Sequence, residues 1–141
     1  QKLRLIEPDH EELEIPDVKF ASILNMPSTD FQKIVRDLSI ISDKLEIRSV
    51  GSELIFKCSG QFAKAEIRRS ESSGTMEFIK KDDTKIIQGE FSLKNLSYFI
   101  KCTNLCNQIE MYLENCLPLV VKYNVASLGE IKLCLAQLPS S

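Results

Sequence analysis

Along most of the chain apolar and polar residues alternate, and twice that alternation gives way to steps of three and four. Val18, Phe20, Ser22, Leu24 and Met26 share one parity and are mostly apolar, which predicts a strand over 18–26 with one buried face. After Pro27, the positions Phe31, Ile34, Val35, Leu38 and Ile41 fall on one face of a helix predicted over 28–42, with the Ser28 hydroxyl placed to accept a bond from a free N–H of the first turn. Strands over 44–50, 53–59 and 62–70 follow, separated by turns at Gly51–Ser52 and Gly60–Gln61. Next come MEFIKK (76–81), a polar turn at Asp82–Asp83, and TKIIQGEFS (84–92). A second helix is predicted over 92–103, capped by Ser92, with Leu93, Leu96, Phe99, Ile100 and Thr103 as its apolar face. Strands over 108–114, 117–125 and 128–136 complete the pattern.

The two halves resemble each other at a shift of about 64 residues. Ser28 maps to Ser92, the KLEI of Lys44 to Ile47 to the QIEM of Gln108 to Met111, and the AEIR of Ala65 to Arg68 to the GEIK of Gly129 to Lys132. Each half reads as strand, helix, three strands. A duplicated βαβββ unit predicts an α+β fold with two helices side by side, packed against antiparallel sheets.

Composition agrees with one folded domain: 141 residues, 43% hydrophobic and 27% charged. No apolar run is long enough to span a membrane, and the opening QKLRLIEPDH has no apolar core of a signal peptide. Beginning mid-pattern and without Met, the chain reads as a piece of a longer protein. A net charge of −2 excludes a bulk basic nucleic-acid binder, but the distribution is uneven. Glu7, Asp9, Glu11, Glu12, Glu14 and Asp17 crowd a segment that also holds Pro8 and Pro16, and this reads as an exposed, extended connector. The division is therefore 1–17, connector, and 18–141, folded domain.

The odd set Cys58, Cys102, Cys106, Cys116 and Cys134 points to reduced, buried thiols in an intracellular protein. Cys102 and Cys106 are four apart, but with His10 as the sole histidine and no CxxC spacing a zinc site is not expected, and no cofactor is. No catalytic motif appears: GxGxxG, GxxxxGK[ST] and GxSxG are absent, and Asp82–Asp83 suits a solvated turn. An enzyme is not expected. Two other features carry alternatives. Lys33 with Arg36, and Lys94 with Lys101, are either solvated cations on amphipathic helices or, if the helices are neighbours, one patch for weak, sequence-independent phosphate contact. Leu13, Ile15, Pro16 and Phe20 either staple the connector to the sheet or form a small apolar pocket.

The stretches LEIP (13–16), MPSTDF (26–31), IVRDLS (34–39), FKCSG (56–60), LPLVVKYNV (117–125) and LCLA (133–136) resemble the second domain of the proliferating cell nuclear antigen family of sliding clamps, and the likeness runs through nearly the whole chain. The resemblance implies the DNA-clamp fold, in which subunits of two such domains close a homotrimeric ring around double-stranded DNA. By resemblance, Lys33, Arg36, Lys94 and Lys101 face the DNA backbone. Residues 1–17 become the end of a first domain and the interdomain connecting loop (5–17). Leu13, Ile15, Pro16, Phe20, Pro118, Cys134 and Ala136 line a pocket for short PCNA-interacting peptides of DNA polymerases, flap endonucleases, ligases and clamp loaders. Phe62, Lys64, Glu66 and Arg68 belong to the edge strand that meets a neighbouring subunit. The implied location is the nucleus, or the site of viral DNA replication.

The chain departs from the family at three places. Cys134 stands where an aromatic residue is usual, and Ala136–Gln137 where Ala-Pro is. Val50–Gly51 occupies the loop that carries the modifiable lysine. A checkpoint-type clamp subunit and a stand-alone peptide-binding domain share much of this pattern. Lacking a first domain, the chain by itself is expected to be monomeric or weakly self-associating. Light scattering checks this, and a stable closed trimer would contradict it.

Overall fold

The computed structural model describes residues 20–74, 76–102, 106–125 and 129–139, without the side chain of Cys102. The acidic connector, with His10, Leu13, Ile15 and Pro16, lies outside these. In chain order the elements are β1 (Ser22–Pro27), α1 (Ser28–Ser39), β2 (Lys44–Val50), β3 (Glu53–Ser59), β4 (Lys64–Ser70), β5 (Glu77–Lys80), β6 (Ile86–Ser92), α2 (Leu93–Cys102), β7 (Gln108–Leu113), β8 (Leu119–Val125) and β9 (Gly129–Leu135).

The strands form two antiparallel sheets, ordered β5-β1-β7-β8-β9 and β4-β3-β2-β6. Each run of three strands after a helix is a meander. Each meander is completed by the strand that precedes the other helix: β1 joins β7, and β6 joins β2. The duplicated βαβββ unit is present, with β5 added on the outer side of β1. Two matching hydrogen bonds fix the exchange. The Ser28 N–H donates to the Asn107 carbonyl, just before β7, and the Leu93 N–H donates to the Asp43 carbonyl, just before β2, each at 2.9 Å. Both satisfy first-turn N–H groups that have no partner within their own helix.

α1 and α2 pack against each other, and their apolar faces enter one core shared with both sheets. Phe31, Ile34 and Leu38 from α1 and Leu93 and Leu96 from α2 meet Leu24, Met111 and Val121 of one sheet and Leu45, Ile47 and Phe56 of the other. Within this core the Ser22 and Ser49 hydroxyls, one from each sheet, bond at 3.0 Å. Each thereby escapes the cost of an unpaired buried polar group.

Four expectations are corrected. Ser28 does not cap α1: Pro27, extended at φ −62° and ψ 136°, takes the N-cap position, so Ser28 is drawn into the helix, where its hydroxyl donates to the Cys106 carbonyl at 2.6 Å. Ser92 does cap α2, accepting from the Asn95 N–H at 3.2 Å. α1 stops at Ser39 rather than 42, because the Leu38 carbonyl is taken by the N–H groups of Ile41 and Ser42 in a closing turn. β1 begins only at Ser22. The chain bends at Ala21, and Phe20 leaves the inward parity for the opposite side of the sheet. Of the four cysteines described only Cys58 is buried, and burial raises its thiol pKa. Cys116 lies exposed in the β7–β8 turn and Cys134 exposed on the edge strand β9.

Gly60 has no room for a side chain, since a Cβ there would collide with the Ile41 carbonyl at the end of α1. Gly51 is open but left-handed at φ 58°. Gly60→Ala is expected to cost at least the ~1–3 kcal/mol of an overpacked interior, and Gly51→Ala about 1–2 kcal/mol from its backbone alone. Urea midpoints measure both; a Gly60→Ala variant as stable as the parent contradicts the close approach.

Candidate functional site

The exposed residues of the two helices lie opposite the faces that enter the core. On α1 these include Lys33, Arg36 and Asp37, and on α2 Lys94, Asn95, Tyr98 and Lys101. All four expected cations are therefore on outward faces of adjacent helices. Asp30, in the first turn of α1, is engaged elsewhere: its carboxylate accepts two bonds from Arg69 of β4, at 2.8 and 2.9 Å. Asp37 stays on the face and accepts from Lys33 at 2.8 Å. That pair is exposed, so it contributes about 0–1 kcal/mol and leaves Lys33 easily recruited elsewhere. Among the described residues no carboxylate is within ion-pair distance of Arg36, Lys94 or Lys101. The Lys101 ammonium sits 5.6 Å from the centre of the Tyr98 ring, a cation–π contact that steadies the charge without neutralising it.

On the far side of the five-stranded sheet lies a second apolar cluster: Phe20, Ile23, Tyr112 and Val120, with Leu117 against it. The Phe20 and Tyr112 rings meet edge to face at 5.5 Å. Phe20 is only 2% exposed, so it is a floor for this face and not an open wall. Pro118 is half-buried beside Leu117, Cys134 is exposed opposite Val120, and Ala136 is exposed just past β9. Leu13, Ile15 and Pro16 are outside the described residues. Sequence reasoning missed Ile23, Tyr112 and Val120. The signal was present: MYL (111–113) and LVV (119–121) are continuous apolar triplets, the mark of a sheet covered on both faces.

Below this cluster Lys122 is surrounded. Its ammonium lies 5.1 Å from the centre of the Tyr112 ring, 3.2 Å from Glu130 and 4.0 Å from Glu110, while the Tyr112 hydroxyl donates to Glu110 at 2.9 Å. The Tyr112 hydroxyl, and then Glu130, hold Lys122 well above the usual lysine value, whereas burial raises the Tyr112 hydroxyl. This cation is already neutralised locally. The departure at Gln137 also has a structural role: its amide lies over Gly89 and donates to the Leu117 carbonyl at 3.0 Å, and the Leu138 N–H donates to the Glu90 carbonyl at 2.8 Å. The tail is thereby moored across β6 and beside the apolar cluster.

The edge strand β4 carries Lys64, Glu66 and Arg68 outward, with Arg68 bonded to Glu66 at 2.6 Å and to Glu53 at 2.9 Å. Phe62, just before it, is 92% exposed. Cys102's side chain and His10 are not described, and among the described residues no three metal-ligating side chains converge.

Residues 14–138 match the family model "Proliferating cell nuclear antigen, C-terminal domain". Over 98% of its length the chain is 35% identical to "Probable DNA polymerase sliding clamp 1" of Paramecium bursaria Chlorella virus 1, covering 53% of that protein. Over 97% it is 33% identical to "Probable DNA polymerase sliding clamp" of Acanthamoeba polyphaga mimivirus, covering 29%. The fold matches the crystal structure of proliferating cellular nuclear antigen from Entamoeba histolytica with a TM-score of 0.76 at 23% identity, over 89% of this chain and 49% of that one. The chain thus spans about half the length, or less, of the relatives it matches.

Asp30 and Arg69 tie the edge strand to the first turn of α1 while both are about three-quarters buried. A double-mutant cycle with Asp30→Ala and Arg69→Ala is expected to give a coupling of about 1–3 kcal/mol, the range for hydrogen bonds to charged groups. Strictly additive losses would show that the pair does not hold β4 to the helix.

Proposed function

Because the chain belongs to the family of the C-terminal domain of proliferating cell nuclear antigen, we propose that it is part of a DNA sliding clamp, a non-enzymatic tether that holds replication proteins on duplex DNA. One observation carries the reading: the outward faces of the paired helices hold four cations against a single acid, and the acid that would have diluted them further is bound by Arg69. Lys33, Arg36, Lys94 and Lys101 then contact phosphates. So few charges give a salt-sensitive attraction that fixes no register, which is what sliding requires.

The partner-binding role falls to the far side of the five-stranded sheet. There Leu13, Ile15 and Pro16 of the connector, Phe20, Pro118, Cys134 and Ala136 would receive an apolar and aromatic peptide anchor, with Tyr112 and Val120 as added lining. Such anchors carry most of the energy of a small interface. DNA polymerases, flap endonucleases, ligases and clamp loaders are the partners this reading names, through PCNA-interacting peptides. The exposed thiol of Cys134 in place of an aromatic ring leaves that side of the groove wider. In the full-length protein β4, from Phe62 through Arg68, would meet a neighbouring subunit in a homotrimer at the site of DNA replication, in the nucleus or in a viral replication site.

Fluorescence anisotropy with a short labelled duplex tests the helix face. Binding is expected only at low salt, with Kd on the order of 10⁻⁴–10⁻⁶ M and no sequence preference. The Lys94→Ala/Lys101→Ala variant should lower the salt slope by about two, one for each phosphate contact. An unchanged slope contradicts the assignment. A labelled PCNA-interacting peptide tests the other face. Ile15→Ala should weaken it by about tenfold, the loss of one anchor contact, and Phe20→Ala at least as much; undiminished binding places the groove elsewhere.

A further inference from the structure

Tyr98 of α2 is 54% exposed, whereas the other aromatic residues of the two helices are not: Phe31 is fully buried and Phe99 packs half-buried against the core. The remaining tyrosines, Tyr112 and Tyr123, are buried in the sheets. A single exposed apolar side chain is common and by itself marks nothing. The position of this one is informative. Leu93, Leu96 and Ile100 turn into the core, and Tyr98 projects from the opposite side of α2, one turn after Lys94 and one turn before Lys101.

The ring and the two cations form one set. The Lys101 ammonium lies over the ring, 5.6 Å from its centre, so charge meets one face of the ring and the other is left to solvent. Among the described residues no carboxylate is within ion-pair distance of Lys94 or Lys101, so both ammoniums are available to phosphates. They are seven residues apart, about 10 Å along the helix axis. A single strand laid along α2 with a phosphate at each ammonium therefore carries the intervening bases past the ring between them.

We propose that Tyr98 is a stacking surface for an unpaired base, so that this helix face takes single-stranded DNA as well as the backbone of a duplex. In a duplex the bases are paired and stacked inside, and bringing one out costs energy, so only the sugar–phosphate backbone meets the helices. Where the strand is unpaired, a base is free to lie on the open face of the ring. Stacking adds affinity whatever the base, because every base has a π-face, and it adds to the phosphate contacts without fixing a sequence. The proposal rests on the reading of this face as the one that meets DNA and adds what it distinguishes: unpaired strand from paired.

Fluorescence anisotropy at low salt tests it, with two labelled single strands of equal length: oligothymidylate, and an abasic strand that keeps the phosphates and lacks the bases. The 141-residue chain is expected to bind oligothymidylate at least about fivefold more tightly than the abasic strand, the low end of the loss on removing one stacking residue. Tyr98→Ala should bring that ratio to about one, and Tyr98→Phe should keep it, since the π-face makes the contact and the hydroxyl does not. The ratio is the readout because any loosening of Lys101 affects both strands alike. Circular dichroism checks that each variant is folded. A parent that binds the two strands equally overturns the proposal. So does a Tyr98→Ala variant that keeps the parent's ratio, and so does a Tyr98→Phe variant that loses it. The same samples are titrated with a duplex. Duplex binding without any dependence on bases sinks the stacking alone, whereas a chain that binds none of the three probes sinks the DNA-facing reading with it.

Discussion

The exchange of one strand between the two halves is the constraint from which the rest follows. Neither half can complete a sheet alone, because each three-stranded meander takes its fourth strand from in front of the other half's helix. The bonds from Ser28 to Asn107 and from Leu93 to Asp43 pin both helix starts to the opposite half. The helices consequently lie side by side above a shared interior, and their apolar faces have one place to go. Burying a single large side chain such as Phe31 or Leu96 stabilises by about 1.5–3 kcal/mol, whereas an exposed pair such as Lys33–Asp37 contributes about 0–1 kcal/mol. The core fixes the architecture, and the surface charges are left available for contacts with other molecules.

The surface cations then sort into two kinds. Lys122 is enclosed by Tyr112, Glu110 and Glu130, Arg69 is paired with Asp30, and Arg68, although exposed, is paired with Glu66 and Glu53. These are already neutralised within the chain. Arg36, Lys94 and Lys101 have no such acid among the described residues, and they are exposed on two helices that pack against each other. The apolar cluster at Phe20, Tyr112 and Val120 is on the other side of the five-stranded sheet, so attraction of a polyanion and docking of an apolar peptide need not compete for the same residues.

Much of this was legible in the sequence, for a physical reason. A change in hydrophobic period from two to nearly four marks a helix wherever a single face is buried; both helices and seven strands were found within a few residues of their ends, and β5 and β6 fall within the stretches 76–81 and 84–92. The internal repeat foretold the paired helices. What stayed hidden depended on contacts between distant positions. Asp30 reads as part of the helix surface until Arg69, 39 residues away, engages it. Ser28 reads as a cap until Pro27 takes that place. Phe20 reads as inward by parity until the bend at Ala21 reverses it. Cysteine was assigned to the interior by its general habit, and Cys116 and Cys134 sit instead in a turn and on an edge strand. Leu13, Ile15 and Pro16 stood out as apolar positions in an acidic segment, but an extended segment has no period to read, and only the family resemblance favoured a peptide pocket over a staple.

The central claim is that a duplicated module turns two adjacent cationic helix faces toward the same ligand. Amide chemical-shift mapping of this chain with a short duplex at low salt tests it most directly. The account predicts shifts clustered on α1 around Lys33 and Arg36 and on α2 around Lys94 and Lys101, moving together along one titration curve, with Tyr112, Val120 and Lys122 unmoved. Shifts confined to one helix, or centred on the outer face of either sheet, would contradict it.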